Sequence, residues 1–323
     1  MRERWMTTDR KATPIGILGV PLEAGTGRRG ASMGPQALRV AELPERLEAL
    51  GWRVTDFGDV APIAAGDVGR LEFEGKTYLP ETVAGWVRPL ARKAHEVAAS
   101  GHLPIFLGGD HSLSMGSVMG VARHWREKGR PLFVLWLDAH ADFNTPSISP
   151  SGNMHGMSLA LLAGEKELAP VFAGEPTVAV DPARMCIFGA RSIDPGEREL
   201  LKARGVTVID MRQIDEHGVS VLMRRFLERV QAEDGVLHVS LDVDFLDPSI
   251  APGVGTTVPG GATYREAHLV MEMLEDSGLV GSLDVVELNP FLDERGRSAT
   301  VLAELVASLF GQEVMDRPTQ AFS

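Results

Sequence analysis

The chain holds a single cysteine, Cys186, so an internal disulfide framework is excluded. That residue sits in the apolar run RMCIFGA, where a buried, inert thiol and a reducing compartment are expected. Long apolar runs are also missing. No stretch approaches the 18 or so uninterrupted apolar residues of a membrane-spanning helix. The opening MRERWMTTDRKATP lacks the apolar centre of a secretion signal, and a cytoplasmic location is expected. Positive charge is in short supply, with 32 Lys and Arg against 44 Asp and Glu and a formal net charge of -12. That balance argues against nucleic acid or an anionic membrane as partner, because both need basic surface to displace counterions. It favours a cationic substrate. Internal repeats, low-complexity tracts and linkers long enough to divide domains are absent as well.

What is present is an alternation of short β-rich runs with longer helical patterns. Eight strands are expected at 14–20, 53–57, 103–107, 132–137, 185–189, 206–209, 237–241 and 283–288. Several carry few charges, as strands buried on both faces should. A helix is expected over 81–99, where Val83, Val87, Leu90, Ala94 and Val97 form one apolar stripe, and another over about 264–275. Pro35 suits a first helical turn, with a kink or break at Pro44. The expected fold class is α/β, a single-domain, three-layer α/β/α arrangement around a mostly parallel, eight-stranded, doubly wound sheet. The domain spans 14–311, with polar tails at 1–13 and 312–323.

Four of these strands end in reactive side chains. Gly108-Gly109-Asp110-His111 follows the third, and Asp138, His140 and Asp142 follow PLFVLWL. Asp242 and Asp244 follow VLHVSL, and Glu287 stands near the end of 283–288. Residues two apart on an extended chain point to one face, and open parallel sheets bind ligands beyond the carboxyl ends of their strands. Four carboxylates gathered there would repel one another unless a cation joined them. His111, His140, Asp138, Asp142, Asp242 and Asp244 supply nitrogen and oxygen donors without sulfur, which suits hard or borderline divalent ions. Six donors exceed the needs of one open site. Two ions about 3.5–4 Å apart would use them and leave room for a bridging water. Taken singly, each Asp is better explained as a helix cap or turn former; the set is not.

These segments resemble the arginase and agmatinase (ureohydrolase) superfamily, whose metal motifs read here as GGDHS (108–112), DAHAD (138–142) and SLDVDFLDP (240–248). The loop NTPSISPSGNMHG (144–156) is similar to the arginase branch. The resemblance implies a binuclear manganese centre, two Mn2+ per subunit, held by His111, Asp138, His140, Asp142, Asp242 and Asp244. A metal-bridging hydroxide would then attack the guanidinium carbon of L-arginine to give L-ornithine and urea. It further implies Glu287 as the guanidinium-orienting carboxylate and His155 as a proton shuttle. Asn144 and Ser151 would receive the α-carboxylate, Asp194 would lie near the α-amine, and Thr256 near the bound intermediate. A homo-oligomer, trimer or hexamer, is implied too. Phe245 and Thr257 depart from the family's usual Gly and Pro, and both are expected to border the cleft.

Rival readings fit less well, among them the metal-dependent deacetylases, which share the architecture by resemblance but use one zinc with fewer ligands. Gly25-Thr26-Gly27-Arg28-Arg29-Gly30 satisfies GxGxxG formally, yet its distance from the first strand and from Asp56 or Asp59 fits a dinucleotide site poorly. A relative acting on agmatine or a guanidino acid is the nearer alternative, and agmatine has no carboxylate for Asn144 and Ser151. A metal-binding arginine sensor without turnover would be expected only if a ligand or His155 were missing.

Overall fold

The structure is a computed structural model that describes residues 10–313. Of the expected tails, residues 1–9 and 314–323 lie outside the described residues. The eight strands are β1 (Ile15–Val20), β2 (Val54–Asp59), β3 (Leu103–Gly108), β4 (Leu132–Leu137), β5 (Met185–Ala190), β6 (Thr207–Asp210), β7 (Val236–Asp242) and β8 (Val280–Val286). They form one sheet in the order β2-β1-β3-β8-β7-β4-β5-β6, with every neighbouring pair parallel.

The sheet has two covered faces because its apolar runs are continuous. Along β1, Ile15 and Ile17 enter one core and Leu18 and Val20 the other; along β4, Phe133, Leu135 and Leu137 face one way and Val134 and Trp136 the other. Helices Pro80–Ala99 and Ser114–Glu127 cover one face. Helices Val219–Ala232, Tyr264–Ser277 and Arg297–Leu309 cover the other. This is the three-layer arrangement expected. Cys186 is fully buried on β5, and burial pushes its thiol up to about 12, so it stays protonated.

Local signals set the boundaries. Pro35 sits in the first turn of helix Gly34–Val40, and the break expected at Pro44 occurs where Glu42 turns left-handed (φ 61) and helix Leu43–Ala49 begins. Thr263 and Glu266 form a reciprocal capping box at the start of Tyr264–Ser277, and Gly278 ends it in the left-handed region. One strand expectation needs correction. The run read at 283–288 is displaced: β8 begins at Val280 and stops at Val286, because Glu287 takes φ 64 and leaves the sheet. Leu288 then pairs antiparallel with Val254.

Candidate metal centre

The four central strands, β3, β8, β7 and β4, carry the reactive segments at their carboxyl ends, so adjacency in the sheet gathers them. The extended-chain argument for their convergence needs revision. Asp138 lies beyond β4 and Asp242 closes β7, and the chain turns at both places. Asp138 Oδ1 accepts the His140 N–H at 2.6 Å, Asp242 Oδ1 accepts the Asp244 N–H at 2.7 Å, and Asp110 Oδ1 accepts the Ser112 N–H at 3.0 Å. The same Asx turn thus ends three strands. Such a bond is worth roughly 0.5–1.5 kcal/mol to a neutral carboxyl and roughly 1.5–3 kcal/mol to a charged one, which favours the turn over the extended alternative.

The turns bring all six expected donors together. His111 Nδ1 lies 3.1 Å from Asp138 Oδ2, 3.1 Å from Asp142 Oδ2 and 3.0 Å from Asp242 Oδ2. His140 Nδ1 lies 3.4 Å from Asp138 Oδ1 and 3.0 Å from Asp244 Oδ2, so Asp138 faces both histidines. An imidazole N–H can be donated along one direction only, yet three carboxylate oxygens surround His111 Nδ1. That nitrogen and Asp138 Oδ2 are buried without a hydrogen-bond partner. Orphaned donors converging on one point are what a cation resolves, and the nitrogen and oxygen set suits a divalent ion. His111, Asp138 and Asp142 form one possible ligand group and Asp138, His140 and Asp244 a second. A binuclear metal site is therefore compatible with these residues.

The electrostatics agree. Burial, with Asp244 and Asp138 adding like charge, pushes the Asp242 carboxyl well above the usual range, and Asp244 up to about 6 through burial and Asp138. Burial and Asp138 raise Asp142 as well. His140 is lifted to about 12 against its burial, by Asp244 and Asp138. Protons retained this tightly occupy the place of bound cations.

A cleft opens over this cluster, lined by His140, Asp142, Asp242 and Asp244 on one side and by Asn144, Ser151, His155, Ser192, Asp194, Glu197 and Thr256 around it. Thr256 Oγ1 donates to Asp244 Oδ2 at 3.1 Å, and Asn144 Nδ2 donates to Asp194 Oδ2 at 3.0 Å. Ser151 Oγ accepts the Asn153 N–H at 3.1 Å, so it also shapes its own turn. Glu287 is buried beside the cluster, where its Oε1 accepts the His111 N–H at 2.8 Å and lies 2.8 Å from His155 Nδ1. Against its burial, His155 is raised to about 9 by Glu287, Asp142 and Asp110. Asp142 (φ 49) and Glu287 (φ 64) both hold left-handed backbone, a strain that a non-glycine residue sustains only where its surroundings fix it.

Sequence reasoning missed Glu197, a cleft carboxyl that accepts the Phe143 N–H at 2.7 Å and the Asp194 N–H at 3.1 Å. Burial pushes it up to about 8. Its place three residues after Asp194, the spacing of a capping box, was the available signal. The glycine-rich loop is not a phosphate cradle in this fold. Gly25 and Thr26 donate their N–H groups to Asp110 Oδ2 at 2.7 and 3.2 Å, and Gly30 donates to Glu23 Oε2 at 2.9 Å. The expectation for the two family departures also changes: Phe245 is fully buried against Phe188, Thr257 is exposed, and neither lines the cleft.

The model of the arginase family matches residues 13–311. The arginase of Brucella melitensis is 56% identical over 308 residues, covering 95% of this chain and 99% of that one. Among solved structures, Bacillus subtilis arginase superposes with a TM-score of 0.84 at 40% identity, covering 94% of this chain and 100% of that chain. Entamoeba histolytica arginase in complex with L-ornithine gives 0.80 at 27% identity, covering 93% and 98%. With its motifs in the positions described and a family match along nearly its whole length, the chain belongs to the arginase family.

Proposed function

We propose that the protein hydrolyses the guanidinium group of L-arginine to L-ornithine and urea, with two Mn2+ per subunit. The observation that carries this reading is His111 Nδ1 set among three carboxylate oxygens, with Asp138 shared between His111 and His140. His111, Asp138, His140, Asp142, Asp242 and Asp244 would hold the ions. Bound divalent ions supply a water acidified toward neutrality as the nucleophile.

The chain's own groups do the rest. Glu287, held charged below its usual range despite burial because His155 and the His111 N–H face it, attracts and orients a planar cation. His155 retains a proton up to about pH 9 and can give it to the departing nitrogen as the carbon–nitrogen bond breaks. Thr256 anchors Asp244 at the floor of the cleft. Further along the cleft, Asp194 and Glu197 suit an α-ammonium group, and Asn144 and Ser151 suit an α-carboxylate. The proposed setting is the cytoplasm, as a homo-oligomer of three or six copies.

Urea release from arginine after incubation with manganese, with agmatine as control, tests the proposal. Arginine should be cleaved far faster, with two ions bound per chain. Equal cleavage of agmatine would transfer the reading to another guanidino substrate, and a single bound ion would overturn the binuclear centre.

A further inference from the structure

Behind the cluster, on the side away from the cleft, lies a buried polar layer in which Asp284, His238, Ser240, Ser282, Ser114 and Ser117 are all inaccessible to solvent. Asp284 Oδ2 accepts from Ser114 Oγ at 2.6 Å and from Ser117 Oγ at 2.9 Å. Ser114 Oγ is 3.5 Å from Ser240 Oγ, the longest link, and Ser240 Oγ is 2.8 Å from His111 Nε2. Asp284 Oδ2 is the acceptor at one end, so the Ser114 hydroxyl proton points toward it. Ser114 then offers Ser240 a lone pair, and Ser240 in turn offers one to His111 Nε2–H. The direction of the chain places an imidazole proton on Nε2, which makes Nδ1 the nitrogen that would turn its lone pair to an ion held among Asp138, Asp142 and Asp242. Trp136 fixes the ring plane, stacked on His111 at 3.9 Å with 3° between planes.

We infer that Asp284 is a positioning residue for the metal centre, setting the tautomer of His111 through Ser114 and Ser240. The inference rests on the metal-site reading above and extends it to residues that touch neither substrate nor ion. Asp284 is 0% exposed, its Oδ2 faced by His238 Nε2 at 3.2 Å as well as by the two serine hydroxyls, and the hydrogen-bonded route from it to the centre runs through Ser114 and Ser240. An outer partner of a ligating histidine typically contributes 10–100-fold to metal affinity.

The test is a manganese titration of the full-length protein, with chelator competition resolving the two ions. Asp284→Asn and Ser240→Ala should each weaken one ion about 10–100-fold and leave the other near its wild-type affinity. Ser308→Ala serves as the structural control, since it breaks another buried pair, His268 Nδ1 with Ser308 Oγ at 2.7 Å, between two helices on the outer face of the fold. It should lower the melting temperature without altering either affinity. Equal weakening of both ions, or melting losses with both affinities intact, would reduce Asp284 to a packing role. A wild-type protein that binds fewer than two ions would instead refute the metal reading, so the two failures are separable.

Discussion

His155 Nδ1 lies 2.8 Å from Glu287 Oε1, and Asp110 adds its buried charge to the same locality. The pair is a unit in which each partner keeps the other charged: Glu287 raises His155, and His155 lowers Glu287. Glu287→Gln keeps the shape and removes the charge. It should retain both ions and lower kcat/KM for arginine by about 10²–10³. His155 would then lose its largest raising influence, leaving burial to pull its pKa downward from about 9, so the pH limb that reports it should move to lower pH. Metal content and a pH–rate profile check this. Activity within a few-fold of wild type would detach Glu287 from the guanidinium.

The buried cluster makes stability depend on pH in a direction that follows from its shifts. Asp110 and Asp244 rise to about 6, Glu197 to about 8, His155 to about 9 and His140 to about 12. Each of these groups binds protons more tightly folded than unfolded, so above the ordinary carboxylate range the folded state holds the extra protons and stability falls as pH rises. The metal-free protein should therefore melt at progressively lower temperature between about pH 5 and pH 9. Divalent ions would replace the protons on Asp244 and His140, and the loaded protein should show a flatter slope. Parallel slopes with and without metal would contradict the cluster's role as an ion site.

Much of this was legible in the sequence because the informative features are local. Runs such as LFVLWL are apolar on both faces and end in acids, which fixes a buried parallel strand and the sheet edge it faces. What was not legible depended on turns and on distant partners. The cap role that a lone Asp suggests and the ligand role that the set suggests read as alternatives in SLDVDFLDP, whereas Asp242 fills both, accepting the Asp244 N–H while its other oxygen faces His111. The shift of β8 came from Glu287, whose left-handed backbone carries no sequence mark outside glycine. Asp284 carries no mark of its role in the sequence, since its serine partners come from helix Ser114–Glu127, 170 and 167 residues away.

Asp194 has two duties. It ends the loop before helix Pro195–Arg204, where its N–H donates to Glu197 Oε2, and its carboxylate accepts from Asn144 in the cleft. Asp194→Ala should raise KM for arginine by roughly 10-fold or more while changing kcat little, because the proposed contact would be to a part of the substrate that does not react. Loss of the helix-start residue should cost about 1 kcal/mol of stability. Steady-state kinetics and thermal melting separate the two effects. A fall in kcat with KM unchanged would assign Asp194 to the scaffold alone.

Phe245 immediately follows Asp244, yet its ring turns into the core. It fills the space that a Cβ at Gly189 would enter, 2.6 Å from the ring, and Gly189 holds φ +101, which no side chain adopts comfortably. The two residues are complementary, the ring on β7's turn and the bare backbone on β5, with Phe188 beside them at 6.4 Å between ring centres. Phe245→Ala should destabilise the protein by about 3–5 kcal/mol through the cavity it leaves. Because the ring does not line the cleft, KM for arginine measured well below the melting temperature should stay within about two-fold of wild type, a difference of roughly 0.4 kcal/mol. Gly189→Ala should destabilise the protein by another route, through overpacking against the ring and backbone strain, and the double variant should lose less than the sum of the two because the cavity accepts the new methyl. Denaturant unfolding of the three variants measures that coupling. Additive losses, or a changed KM without lost stability, would place the ring at the cleft instead of the core.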